Sequence, residues 1–279
     1  MESSPLTWME ALALLLRFMK STIFFFWVLI ITFWHFSFLA MLRLKARVEG
    51  RAPSQTEAHK IATLWGQRLL KSVPGWDIQV RGVEYLPPEG SPCVLVANHE
   101  SSTDILAIYF LGIQFRWLSK KSMFQVPLVG MAMRWAGYVP IVRGNKGSHQ
   151  QALSQSEAYV RQGIPMLFFP EGTRSVKGTP GEFKTGAFRL AQACAAPVLP
   201  VVLCGAGRLL RKKSLYPEKA TVKIQILPLM EALPGESAQN FTQRVRDKIC
   251  EAHALLLAEE RPVSGHSLTG ECHEAEPVC

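Results

Sequence analysis

The longest apolar stretch of the chain runs from Ser21 to Leu42 without a charged side chain and is crowded with aromatic residues, among them Phe24, Phe25, Phe26, Trp27, Phe33 and Trp34. As a helix it is long enough to reach across the ~30 Å hydrocarbon core of a bilayer. The stretch before it, Leu6 to Met19, is apolar but interrupted by Glu10 and Arg17, which predicts a separate, shorter helix lying at the interface. Arg43, Lys45 and Arg47 come after Leu42 in place of a small-residue cleavage site, so the segment is expected to stay attached. Residues 1–50 are thus read as a membrane-anchoring helical segment, with flanking charges too balanced to fix an orientation. The cations after Leu42 place the globular part of the chain against anionic headgroups, each contributing about 1 kcal/mol.

The pattern then changes to that of a globular domain over 51–261. Ser54 with Glu57 forms a capping box, and Ile61, Leu64, Trp65, Leu69 and Leu70 recur at helical spacing up to Pro74-Gly75. Ile78, Val80 and Val83 alternate as a strand, and Pro87-Pro88-Glu89-Gly90 breaks the chain before the apolar run Val94 to Ala97. Helices near 103–112, 122–136, 149–162, 185–195 and 237–260 alternate with strands near 115–119, 138–143, 165–169, 197–204 and 220–227. Such alternation predicts an α/β fold, a mostly parallel sheet covered by helices, behind the N-terminal membrane segment. The tail 262–279, with Gly, Ser, Pro and Glu and no Lys or Arg, is expected to be disordered.

Charge narrows the partners. The chain carries 31 Lys and Arg against 22 Asp and Glu, a formal +9, which favours phosphate-bearing partners: nucleic acid, anionic membrane or a phosphorylated substrate. The membrane segment and the absence of a recognisable module argue against nucleic acid. No G-x-x-x-x-G-K-[ST] loop occurs, and the nearest approach to G-x-S-x-G, Gly265 to Gly270, has the wrong spacing. The six cysteines form no C-x-x-C and read as reduced thiols, and no metal or cofactor site is expected.

Two loops carry the chemistry. Asn98-His99-Glu100-Ser101-Ser102-Thr103-Asp104 links a strand to a helix, so Asp104 in the first turn can fold back onto one nitrogen of His99 and leave the other to accept a proton. Asn, Ser, Thr and Asp are also ordinary helix-capping residues. No serine or cysteine here has the context of a nucleophile, which points to an attacking hydroxyl supplied by a substrate. The second loop, Phe168-Phe169-Pro170-Glu171-Gly172-Thr173-Arg174-Ser175, offers one carboxylate and one guanidinium able to grip phosphate. In isolation it could be a plain turn with a surface ion pair. Both loops lie beyond the C-terminal ends of predicted strands, where such folds place ligands.

N-H-x-x-x-x-D followed by F-P-E-G-T-R-S resembles the glycerolipid acyltransferases, with weaker counterparts at Gly137 to Arg143 and Val198 to Val202. Glu100 departs from the Gln common in that family. The resemblance implies that His99 and Asp104 act on the hydroxyl of a lysophospholipid acceptor, which attacks the thioester of acyl-CoA or acyl carrier protein. It implies the 1-acyl-sn-glycerol-3-phosphate acceptor for phospholipid synthesis, a domain on the cytoplasmic side of a membrane, and a helical hairpin sunk in one leaflet as the alternative to a spanning helix. Arg174, Arg143 and Lys184 are the cations expected for the acceptor's phosphate, and Glu171, with Gly172 and Thr173, would hold its glycerol part or order the loop. Met123, Leu128, Val129 and Met133 could line an acyl groove or a core. Transfer to another acceptor, such as a lyso-ornithine lipid, and a lipid-binding scaffold without turnover are the rival readings.

Overall fold

The computed structural model describes residues 7–175, 179–209 and 219–259. Seven strands form one sheet in the order β1-β7-β6-β2-β5-β3-β4. They are β1 Trp76–Arg81, β2 Val94–Ala97, β3 Arg116–Lys120, β4 Val139–Ile141, β5 Met166–Phe168, β6 Val198–Cys204 and β7 Ala220–Ile226. Every pairing is parallel except that of β6 with β7. The mostly parallel sheet expected from alternation is therefore present. Because side chains alternate along a strand, Leu95 and Ala97 of β2 face one layer, with α2 (Gln55–Lys71) and α3 (Asp104–Ile108). Val94 and Val96 face the other, with α5 (Lys146–Arg161), α6 (Gly186–Ala193) and α8 (Ala238–Ala258). β2 is buried at all four positions. A strand enclosed on both faces holds its last residue, and the loop after it, in a fixed place.

Local signals explain the boundaries. Ser54 Oγ accepts the Glu57 N–H at 3.2 Å to open α2, and Asn145 Oδ1 accepts that of Ser148 at 2.8 Å to open α5 three residues before its expected start. Val83 falls outside β1, because Gly82 turns with φ 80 into a short 3₁₀ segment. The single helix expected over 122–136 is instead a 3₁₀ turn, Lys121–Gln125, followed by α4, Val129–Trp135. Pro127 forces Val126 into extended backbone, and Leu128 then takes a left-handed φ of 60.

The N-terminal expectation needs correction. α1 is one continuous helix, Trp8–Val48, of 41 residues, about 60 Å long, with neither a break after Met19 nor a hairpin turn. Ile31, His35, Leu39 and Ala46 form a buried stripe on it, while Ile30, Phe33, Trp34, Phe38 and Leu44 stay exposed on the other side. Its stretch Phe18–Val48 is long and apolar enough to cross a membrane. Trp65 Nε1 donates to Thr32 Oγ1 at 3.0 Å, and Phe36 stacks on Trp135 at 5.4 Å, so the helix is docked on α2 and α4. A short helix, α7 (Ala206–Leu209), leaves the end of β6. The tail 262–279 and the basic positions Arg211, Lys212 and Lys213 lie outside the described residues.

His59 of α2 is fully buried, bonded to Tyr138 Oη at 3.0 Å and to the Ile113 carbonyl at 3.2 Å. Burial, and secondarily the Arg116 cation, push its imidazole down to about 3 from the ordinary 6.5. The folded protein thus refuses a proton that the unfolded chain binds. Stability should fall as pH drops from about 6.5 toward about 3, by up to about 1.4 kcal/mol per pH unit. His59→Gln should flatten that part of the profile in unfolding followed by circular dichroism.

Candidate active site

β2 and β5 are neighbours and run parallel, with Val96 opposite Phe168, so the loops that leave them emerge side by side at one edge of the sheet. Asn98 fixes the first loop at its root: its side chain donates to the Leu203 carbonyl and accepts the Leu203 N–H, both at 2.8 Å. This bidentate clasp on β6 leaves His99 as the first residue free to point outward.

Asp104 Oδ2 collects three hydrogen bonds, from His99 Nδ1 at 2.7 Å and from the N–H groups of Glu100 at 2.7 Å and Ser101 at 3.0 Å. A carboxylate oxygen only accepts, so Nδ1 carries the proton and Nε2 keeps its lone pair. The His99 ring stacks on Phe169 with centroids 4.5 Å apart, and its side chain remains 20% exposed while Asp104 is fully buried. Burial pushes the Asp104 carboxyl up, and the bond from His99 opposes it. Its second oxygen, Oδ1, is buried without a hydrogen-bond partner among the described residues. The arrangement holds an imidazole, oriented from behind, at the mouth of a loop.

Glu171 is turned inward. Oε1 accepts the His99 N–H at 2.8 Å, and Oε2 accepts Ser175 Oγ at 2.7 Å and the Gly181 N–H at 3.0 Å. The Ser175 N–H also reaches the His99 carbonyl at 2.7 Å. Of the two duties considered for Glu171, the geometry gives it loop order, since its oxygens are taken by three protein donors. Gly172 turns with φ 70, and a side chain there would meet Lys184 Nζ at 2.7 Å, so the ammonium group rests on this turn. Lys184 also donates its N–H to the Pro170 carbonyl at 3.0 Å. Arg174 is exposed and donates through Nη1 to Ser102 Oγ at 3.2 Å, which carries the guanidinium across to the His99 loop. Thr173 is exposed beside it.

Arg143 comes after β4, the edge strand of the sheet, two strands from β5, whose loop carries Arg174. The sequence reading also missed residues that build the site: Asn98 and Ser175 stood in the motifs without an assigned duty, and His253 of α8, bonded to Glu100, carried no signal.

A cavity of about 180 Å³ opens beside Ser102 and is lined almost wholly by apolar groups. Its walls come from α1 (Phe36, Leu39), α2 (Ile61, Trp65), α3 (Ile105, Leu106) and the α4 region (Met123, Leu128, Val129, Met133), with Tyr109 and Tyr138 among them. The donor atoms of Glu100, Cys204 and His253 lie within 4.8 Å of one another, a set able to hold a divalent ion, although His253 and Glu100 already bond directly at 3.0 Å.

Residues 77–204 match the acyltransferase family. A chloroplast 1-acyl-sn-glycerol-3-phosphate acyltransferase of Brassica napus is 38% identical over 71% of this chain, which spans 56% of that protein. Proteins of the same name from Chlamydomonas reinhardtii and Pseudomonas aeruginosa are 31% and 32% identical, over 88% and 70% of this chain and 73% and 76% of theirs. The crystal structure of the 1-acyl-sn-glycerophosphate acyltransferase of Thermotoga maritima superposes with a TM-score of 0.62 at 23% identity, covering 83% of this chain and 97% of that one.

Removing Glu171 should loosen both loops at once. Glu171→Ala strips acceptors from three donors and should lower stability by about 2 kcal/mol or more, with faster tryptic cleavage at Arg174. Glu171→Gln, which keeps one carbonyl oxygen, should show a smaller drop in thermal midpoint.

Proposed function

The chain belongs to the acyltransferase family, and from that premise we propose that it moves a fatty acyl group from acyl-CoA or acyl carrier protein to the sn-2 hydroxyl of 1-acyl-sn-glycerol-3-phosphate, giving phosphatidate. The observation that carries this reading is the His99–Asp104 pair at 2.7 Å with an exposed cation, Arg174, anchored to the same loop. His99 Nε2 takes the proton of the acceptor hydroxyl as its oxygen attacks the thioester carbonyl. Asp104 stabilises the imidazolium so formed. When the tetrahedral adduct collapses, the carbon–sulfur bond breaks and the thiolate leaves with the proton held on Nε2. No side chain is acylated.

The acceptor's phosphate falls to Arg174, whose other guanidinium N–H groups have no hydrogen-bond partner among the described residues, and to Lys184. Arg143, at the same end of the sheet and two strands from β5, is the further cation expected for it. The apolar cavity beside Ser102 receives an acyl chain, and the outer aromatic face of α1 enters lipid, so that a membrane-borne acceptor reaches the site without crossing water.

Labelled oleoyl-CoA and oleoyl carrier protein, offered with lysophosphatidate and with lyso-ornithine lipid in parallel, test the reading. His99→Ala should cost about 10²- to 10⁴-fold in turnover, and Arg174→Ala should mainly raise the KM for lysophosphatidate. Product from lyso-ornithine lipid alone would remove the phosphate role of Arg174, and no product from either acceptor would overturn acyl transfer to them. Met133→Trp, which fills the cavity, should shift use toward shorter acyl chains in a competition assay across donors.

A further inference from the structure

We propose that His253 is a positioning residue for His99, holding the catalytic loop through the side chain of Glu100. The apolar stripe of α8 runs Phe241, Val245, Ile249 and Leu256, all buried against the sheet, and His253 interrupts it at 1% exposure. An imidazole there loses its hydration, and an aliphatic side chain would suit the stripe better. Its compensation among the described residues is the bond of Nε2 to Glu100 Oε1 at 3.0 Å. Since the carboxylate only accepts, Nε2 carries the proton and donates.

The other oxygen of Glu100 accepts the Gly207 N–H at 3.2 Å. Its side chain is therefore held from two separate elements, α8 and the short helix α7 that follows β6. The backbone N–H of this same residue is one of the three donors to Asp104 Oδ2, at 2.7 Å. The peptide joining His99 to Glu100 is thus fixed from both flanks, by Glu171 on the His99 N–H and by His253 through the Glu100 side chain. Freed from α8, the Glu100 side chain keeps only the longer Gly207 bond, its N–H shifts on Asp104 Oδ2, and the imidazole loses the register that presents Nε2 to a substrate. The tie asks of position 100 a side chain of this length with an acceptor oxygen. A Gln amide oxygen would accept from His253 Nε2 equally, so the tie needs an acceptor there rather than a charge.

The assignment rests on acyl transfer at His99, and two readouts keep it separable from that reading. The first is kinetic. His253→Leu, which completes the apolar stripe, should fold with an undiminished thermal midpoint yet lose about tenfold in kcat, with the KM of both substrates unchanged. His253→Gln, which restores an N–H donor, should return to within about threefold of wild type, and Glu100→Ala combined with His253→Leu should be no worse than the poorer single variant. The second readout needs no substrate: the rate of carbethoxylation of His99 by diethyl pyrocarbonate, followed by mass spectrometry over a pH series. Its midpoint should shift in His253→Leu and in Glu100→Ala alike and return in His253→Gln. Unchanged kcat and an unchanged His99 profile in His253→Leu would overturn the proposal, as would a Gln variant no better than Leu. A wild type without acyl transfer would sink the functional reading, while the His99 profile would still decide this one.

Discussion

Two parallel strands that leave the sheet at the same edge, β2 and β5, are the constraint on which the site depends. Each is short, but both lie between helical layers, and their register sets Val96 against Phe168. That pairing puts the residues after each strand within reach of one carboxylate. Glu171 then joins the loops by accepting from the His99 backbone, from Ser175 and from Gly181. A base on either loop alone would rest on flexible chain. Here the histidine is held by its backbone from one strand's loop and by its ring from the other end of its own.

The two acidic residues of the site divide the work by burial and partners. Asp104 is sealed, with one oxygen saturated by three donors and the other without a partner among the described residues, so burial raises its carboxyl while the imidazole opposes that rise. This is a poised environment, since a developing imidazolium beside the carboxylate relieves it. Glu171 faces only neutral donors and has no cation to repel or attract within its bonds. It behaves as a connector. Arg174, exposed and fixed by a single bond, is left able to turn toward an anion.

Much of this was legible in the sequence for identifiable reasons. Alternating periods reveal a helix-covered sheet, and strand-to-helix loops reveal where chemistry sits, so His99, Asp104, Glu171 and Arg174 could be named from the chain alone. What failed were features set by contacts distant in sequence. Strand order is invisible in one dimension, so the chain alone did not tell that Arg143 follows the edge strand, β4. The duty of Glu171 was undecided because its donors come from residues 99, 175 and 181. The helix broken at Pro127 was recoverable, since proline restricts the residue before it, but the apolar run hid the signal. His253 was unreadable, for a lone histidine in an apolar stripe announces no partner 153 residues away.

The continuity of α1 changes what that helix is for. An anchor needs only length and apolarity, and a hairpin or a detached span would serve as well. In this fold, Thr32, His35, Phe36 and Leu39 are wall residues of the cavity that opens beside Ser102. Thr32 accepts from Trp65, His35 meets Arg68 Nη1 at 3.3 Å, and Phe36 stacks on Trp135, so the helix is keyed to the domain by specific contacts. Its inner stripe completes an apolar chamber, and its outer face is itself apolar and exposed. On the proposed reading one helix bounds both the lipid and the chamber, and an acyl chain leaving lipid for the site passes along an almost wholly apolar wall. Replacing α1 with an unrelated hydrophobic helix would keep the length and apolarity and still open the chamber to water, because the contacts that close it belong to this sequence and not to hydrophobicity in general.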